Sequence, residues 1–171
     1  MRAFIAIEIP FDIKDKAVAL QDDLPSEGIK PVERENLHIT LRFLGDIDER
    51  KAAEIKSAIS AVKFEPFAAN CLSVGVFPSE DYIRVVWMGV ESSGNLEKIA
   101  EELDEKLAGL GFAKEKFAGH LTIARVKKKL DLKDFLSKHK NDFFGEFKIS
   151  PANVKLKKSQ LTPQGPIYAD L

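Results

Sequence analysis

Two of the three histidines in this 171-residue chain sit in the same four-residue setting. His38-Ile39-Thr40-Leu41 and His120-Leu121-Thr122-Ile123 both read histidine, apolar, threonine, apolar. They lie 120 − 38 = 82 residues apart, close to half the chain. A doubling of this kind arises by chance in roughly one chain in a thousand at this composition. A single histidine beside a threonine in a strand is more often a satisfied structural pair. Two in matching settings point to a site. Imidazole titrates near neutrality, so one ring can be neutral while the other is protonated. The neutral ring can take a proton from water, and the protonated one can give a proton to a leaving oxygen. Threonine hydroxyls can donate to the non-bridging oxygens on which transition-state charge develops. The set suits displacement at a phosphodiester. The chain has no metal-type spacing of Cys and His, and no metal or other cofactor is expected.

The strands that carry these groups must present alternate residues to opposite faces. His38 and Thr40 then share one face, as do His120 and Thr122, while Ile39, Leu41, Leu121 and Ile123 turn to the core. Arg42 falls on the His38 face by the same parity; it could bind phosphate or pair with a carboxylate. Arg125 falls on the opposite face from His120 if the strand is regular. Strands are expected over 2–9, 37–43, the two segments either side of 78–81, and 119–126, with two more over the final 25 or so residues. Helices are expected over 11–22, 47–62, 95–111 and a short stretch before Lys140. Leu96, Ile99, Ala100, Leu103 and Leu107 mark one buried helical stripe, and Phe11, Ile13, Val18 and Leu20 are candidate buried positions on the first helix. The segment Glu27–Arg34 reads as a loop with room for a short strand. No linker or low-complexity tract divides the chain, so residues 1–171 read as one α+β domain. Two similar half-chains, each with one motif, suggest two pseudo-symmetric halves facing a shared cleft.

Composition narrows the partners. Net charge is −1 and the sequence pI about 6.3, so a broad basic field for nucleic acid is not expected, and RNA contact would be local, at an end. The single cysteine, Cys71, excludes an internal disulfide and reads as a small buried hydrophobe. His139 reads as solvated. The opening Met1–Pro10 is too short for a membrane span and reads as a strand, so a cytoplasmic, soluble monomer without membrane association is expected. Lys127, Lys128 and Lys129, with Lys155, Lys157 and Lys158, are either a solvated edge or an RNA-backbone track. Trp87 and Tyr82 read as core or groove wall, and Phe77 and Tyr168 either as core or as base-stacking rings.

The paired motifs resemble those of the 2H phosphoesterase superfamily. With "MRAFIAIEIP", "ENLHITLRFLGD", "VVWMGV", "HLTIARVK" and "LTPQGPIY" the whole chain resembles its 2′-5′ RNA ligase branch, whose members act as RNA 2′,3′-cyclic phosphodiesterases. The resemblance implies a bilobal fold, each lobe an antiparallel sheet with outer helices and one motif on an inner strand. It implies hydrolysis of a 2′,3′-cyclic phosphate at an RNA 3′ end, such as a tRNA fragment, to a 2′-phosphate, with 2′-5′ ligation as the reverse reaction. It assigns His38 as proton donor, His120 as proton acceptor, Thr40 and Thr122 as phosphate holders, and Arg125 as a substrate contact; a bulge or strand end would be needed to aim Arg125 there. Many relatives carry proline just before the second histidine, where this chain has Gly119. The competing readings are a related enzyme acting on small cyclic nucleotides or 2′-5′ linkages, and a non-catalytic module that binds RNA ends.

Overall fold

The computed structural model describes residues 1–171. In chain order the elements are β1 (Arg2–Glu8), α1 (Phe11–Gln21), β2 (Ile29–Pro31), β3 (His38–Asp46), α2 (Glu49–Ala61), β4 (Phe67–Ser79), β5 (Tyr82–Glu91), α3 (Asn95–Ala108), β6 (His120–Val126), α4 (Lys133–His139), β7 (Phe143–Ile149), β8 (Val154–Thr162) and β9 (Gly165–Asp170). Local chemistry accounts for the helix starts and faces. Asp48 caps α2 by accepting from the Lys51 amide at 2.7 Å. The apolar stripe of α3 buries Leu96, Ile99, Ala100, Leu103 and Leu107, as its spacing predicts. On α1, Ile13, Ala17 and Leu20 are buried. Phe11 is not: it is 73% exposed, with the Arg34 guanidinium 5.2 Å above its ring. It opens the helix directly after Pro10, before the chain has turned onto the core.

All nine strands join one antiparallel sheet in the order β7-β4-β5-β6-β3-β1-β8-β9, with β2 beside β6. The two sheets expected from the resemblance are thus one. They are sewn together by a narrow seam, since β3 and β6 share a single ladder pair, Ile39 opposite Leu121. Either side of that seam stand four strands, β3-β1-β8-β9 and β6-β5-β4-β7. The chain after α4 supplies three strands where two were expected, because a 3-10 turn at Pro151–Asn153 splits the segment read as one strand. Prolines at such a turn remove a ladder donor.

One face of the sheet packs on the helices. Ile5, Ile7, Ile39, Leu121 and Ile123 are fully buried on it, each worth about 1.5–3 kcal/mol. That burial fixes the register, because a slip by one residue would turn the whole apolar set to water. It thereby fixes which face the motif residues occupy.

Candidate active site

The seam pair puts Ile39 against Leu121. Continuing that antiparallel register by one residue each way sets His38 against Thr122 and Thr40 against His120. The four polar side chains therefore project together from the face opposite the helix-packed core. All four are half-buried.

Each ring is held by the same device. His38 Nδ1 lies 2.6 Å from the Asn36 carbonyl oxygen, and His120 Nδ1 lies 2.8 Å from that of Ala118. A carbonyl only accepts, so both Nδ1 atoms carry a proton and both rings present Nε2 to the site. In the neutral His38 ring Nε2 is then an acceptor, and the Thr40 hydroxyl donates to it at 2.9 Å. The carbonyls are anchored in turn. The Asn36 side chain donates to Pro166 O of β9 at 2.9 Å. Gly119, between Ala118 and His120, lies close to β5: a Cβ there would stand 3.0 Å from the Val90 carbonyl oxygen, and its own carbonyl accepts from the Val90 amide at 3.2 Å.

A bulge follows each threonine. In β3, Ile5 faces Arg42 and Ala6 faces Thr40, leaving Leu41 extra. In β6, Val86 faces Ala124 and Trp87 faces Thr122, leaving Ile123 extra. Parity is reset by one in both strands. The first seven residues of β3 and of β6 accordingly share one burial pattern, half-buried and buried in alternation, then two buried, one exposed, one buried. The two arginines therefore behave oppositely to simple strand parity. Arg125 is returned to the motif face and is exposed, beside Lys30 of β2 in the ladder. Arg42 is turned to the core side, 6% exposed. There it pairs with Asp104 and the Ala113 carbonyl and has Nε 3.2 Å from Glu115 Oε2. Of the two readings of Arg42, phosphate contact is thus corrected and the carboxylate pair holds: its partners are Asp104 and Glu115. Phe43, five residues after His38 as Arg125 is after His120, was missed. It is 62% exposed, and the motif-face position was legible only once the bulge was known.

The two imidazoles have different surroundings. Phe4 stacks on His38 with centroids 4.9 Å apart, and Tyr168 stands edge-on to it at 5.4 Å. Burial drives the His38 pKa from 6.5 down to about 4, opposed by the Asn36 hydrogen bond and assisted by the charges of Lys157, Lys14 and Arg125. His120 lies against the edge of Phe77 at 5.0 Å and near Trp87 at 6.2 Å. Its pKa is also lowered, by burial, against the Ala118 hydrogen bond. Burial pushes the Tyr168 phenol up.

Other residues fall differently from expectation. His139 is not solvated: its side chain is 12% exposed and its two ring nitrogens lie 2.6 Å from Asp23 and from Asp142, tying α1's end to the turn before β7. Tyr82 is at the β4–β5 turn and 56% exposed, so it is not core. Lys157 is on no edge, since β9 covers β8. Its side chain is 15% exposed and its ammonium is held by Glu8 and Asp170. Lys128 pairs with Glu27 at 2.6 Å. Cys71 is buried, which raises its thiol pKa to about 12.

The curled sheet with its four helices is an α+β architecture found in solved phosphoesterases. The crystal structure of the Thermus thermophilus protein TT0787 superposes with TM-score 0.83 at 30% identity, over 100% of this chain and 95% of that one. Escherichia coli LigT in apo form shares the fold, with TM-score 0.83 at 23% identity over 99% and 94% of the two chains. The chain belongs to the LigT-like phosphoesterase family, whose model matches residues 7–87 and 89–168, one motif in each. Its relatives include two proteins named RNA 2′,3′-cyclic phosphodiesterase. That of Methanocaldococcus jannaschii is 46% identical over 98% of this chain and 96% of its own length. That of Archaeoglobus fulgidus is 43% identical over 100% and 98%. No helix is long and apolar enough to cross a membrane.

Proposed function

We propose that this chain is an RNA 2′,3′-cyclic phosphodiesterase that hydrolyses a terminal 2′,3′-cyclic phosphate to a 2′-phosphate, in a cleft between two lobes formed by the two halves of the sheet. The observation that carries the reading is the pair of imidazoles, each tethered at Nδ1, each presenting Nε2 to the motif face, and each registered against the other's threonine across the seam. The names and full-length identity of the relatives support it.

His120 Nε2 takes a proton from water as its oxygen attacks phosphorus in line; the P–O3′ bond breaks and His38 Nε2 protonates O3′. Thr40 and Thr122 donate to the non-bridging oxygens. His38 suits the donor's part in one respect, because an imidazolium forced down by burial and neighbouring cations gives its proton up readily. The substrate supplies the counterpart: its negative charge offsets Lys14, Lys157 and Arg125 and lets the ring take a proton on binding. Arg125, with Lys30 alongside, receives a backbone phosphate at the His38 end. Phe43 offers a stacking surface for a base at the other. Tyr168 borders the sugar beside His38.

The test is incubation with an RNA oligonucleotide ending in 2′,3′-cyclic phosphate, in EDTA, with phosphorus NMR of the product. A 2′-phosphomonoester formed undiminished in chelator is expected. A 3′-phosphate, or no turnover from pH 5 to 9, would sink the proposal.

A further inference from the structure

Lys157 lies on β8 directly opposite Phe4 of β1. In the other half, the residue opposite Val85 of β5 is Phe77 of β4. Phe4 and Val85 are equivalent places, since they face Phe43 and Arg125, each five residues past its motif histidine. An ammonium in the His38 half thus stands where an aromatic ring stands in the His120 half. Its side chain is only 15% exposed, and two carboxylates hold it, Glu8 Oε1 at 3.1 Å and Asp170 Oδ1 at 2.6 Å. Asp170 faces Lys157 in the β8–β9 ladder and would suffice for a clamp between those strands. Glu8 instead belongs to β1 and faces His38 in the next ladder, so the second bond of the lysine ties it to the residue paired with His38.

We propose that Lys157, held by Glu8 and Asp170, is a positioning residue that sets the proton affinity of His38 apart from that of the similarly built His120. This rests on the acid–base reading above. The charged and titratable groups around His38 are Glu8 on β1, Lys14 on α1, Arg125 on β6, Lys157 on β8, and Tyr168 and Asp170 on β9. Glu33 and Arg125 act on Tyr168 from the β2 side, with Lys30 close to Glu33. His120 meets Phe77 and Trp87. Burial weakens the Lys157 ammonium, but its hydrogen bonds to Asp170 and Glu8 outweigh this and keep it charged. A fixed cation near His38 raises the energy of its imidazolium and has no counterpart at His120. The lysine so separates two rings that the backbone makes alike.

The test follows the ring protons of His38 and His120 by NMR titration of the full chain without substrate. Lys157→Met and Glu8→Gln both break the Lys157–Glu8 pair but change the local charge in opposite senses. Lys157→Met is expected to move the His38 titration up by about one pH unit, Glu8→Gln to move it down, and Lys157→Arg to restore the wild-type value, with His120 still in all three. The alkaline limb of kcat/KM should rise with His38 in Lys157→Met. If both charge-changing variants move His38 the same way, or neither moves it, or His120 follows it, Lys157 is only a clamp and the proposal is overturned. Hydrolysis by the wild type is measured in parallel. An inactive wild type would sink the reaction, while the titrations still decide what Lys157 does to His38.

Discussion

Around His38 the β1–β3–β8–β9 half of the sheet gathers Phe4, Tyr168 and a paired lysine; around His120 the other half gathers Phe77 and Trp87. The backbone beneath is the same in both: an Nδ1 tether to the carbonyl two residues back, a threonine, then a bulge. The difference teaches that geometry and proton inventory are specified separately. Repeated backbone places the two imidazoles in matching settings, each registered against the other's threonine across the seam. Residues on neighbouring strands, distant in sequence, then make the two rings unequal. A phosphodiester displacement needs both features, because it binds a nearly symmetric phosphoryl group yet requires one acid and one base.

The sharpest way to break this comparison is to remove the rings. His38→Ala and His120→Ala should each lower kcat/KM by about 10³-fold on cyclic-phosphate RNA. The double variant should lose little more, since an acid and a base in one step act as a unit. The pH profiles should be lopsided in opposite directions, the acid limb vanishing with His120 and the alkaline limb with His38. Wild-type rates in either single variant would end the two-histidine account.

That pair was visible in the sequence because period-two strands bring His-x-Thr to one face whatever the surrounding fold. The helices were visible for a similar reason, their stripes being local. Parity beyond the threonine was not. A bulge depends on how β1 and β5 pair with the motif strands, and no residue in either motif announces it. Hence simple parity puts Arg42 with His38 and Phe43 with Ile39 and Leu41, and the bulge exchanges the two. Lys157 read as one more charge on an edge because strand order, which puts β9 outside β8, is a long-range outcome. His139 likewise needed Asp23, 116 residues away. Arg42 gives the next prediction. Its loss in Arg42→Ala leaves the 12% exposed Asp104 carboxylate without its cation, which should cost about 3–5 kcal/mol in urea unfolding. The activity of the folded fraction should hold within about twofold. A large loss of kcat with unchanged stability would return Arg42 to the phosphate.

Acid unfolding separates the halves without substrate. The His38 pKa is about 4 when folded and near 6.5 when unfolded. The unfolded chain therefore binds the proton more readily. The stabilisation is complete above pH 6.5 and drains away as pH falls toward 4. It amounts to on the order of 3 kcal/mol, and His120, shifted in the same direction, adds to it. Denaturation midpoints from pH 7 to 4 should therefore fall more steeply in the wild type than in His38→Gln. His120→Gln should recover less of the slope. Equal recovery by both variants would mean the halves are electrically alike, contrary to the burial of His38 and the charges of Lys157, Lys14 and Arg125 that add to it.

The mildest effects should come from the equivalent positions Arg125 and Phe43, and they sharpen the comparison most finely. Arg125→Ala should lower kcat/KM by about 30- to 100-fold, in keeping with a charge-assisted phosphate contact, and should flatten the salt dependence by about one unit of slope. Phe43→Ala should cost about five- to tenfold, chiefly in KM, with the salt slope intact, as expected for lost stacking on a base. An abasic substrate discriminates further, because it should erase the difference between wild type and Phe43→Ala while leaving the Arg125 defect in place. The exchange Phe43→Arg with Arg125→Phe keeps both residue types and both backbone positions. If the site's polarity resides only in these two side chains, the exchanged chain should bind the RNA end about as well as the wild type. If the proton roles are fixed by the groups around His38, it should bind the end reversed and turn over poorly, with KM spared and kcat lost.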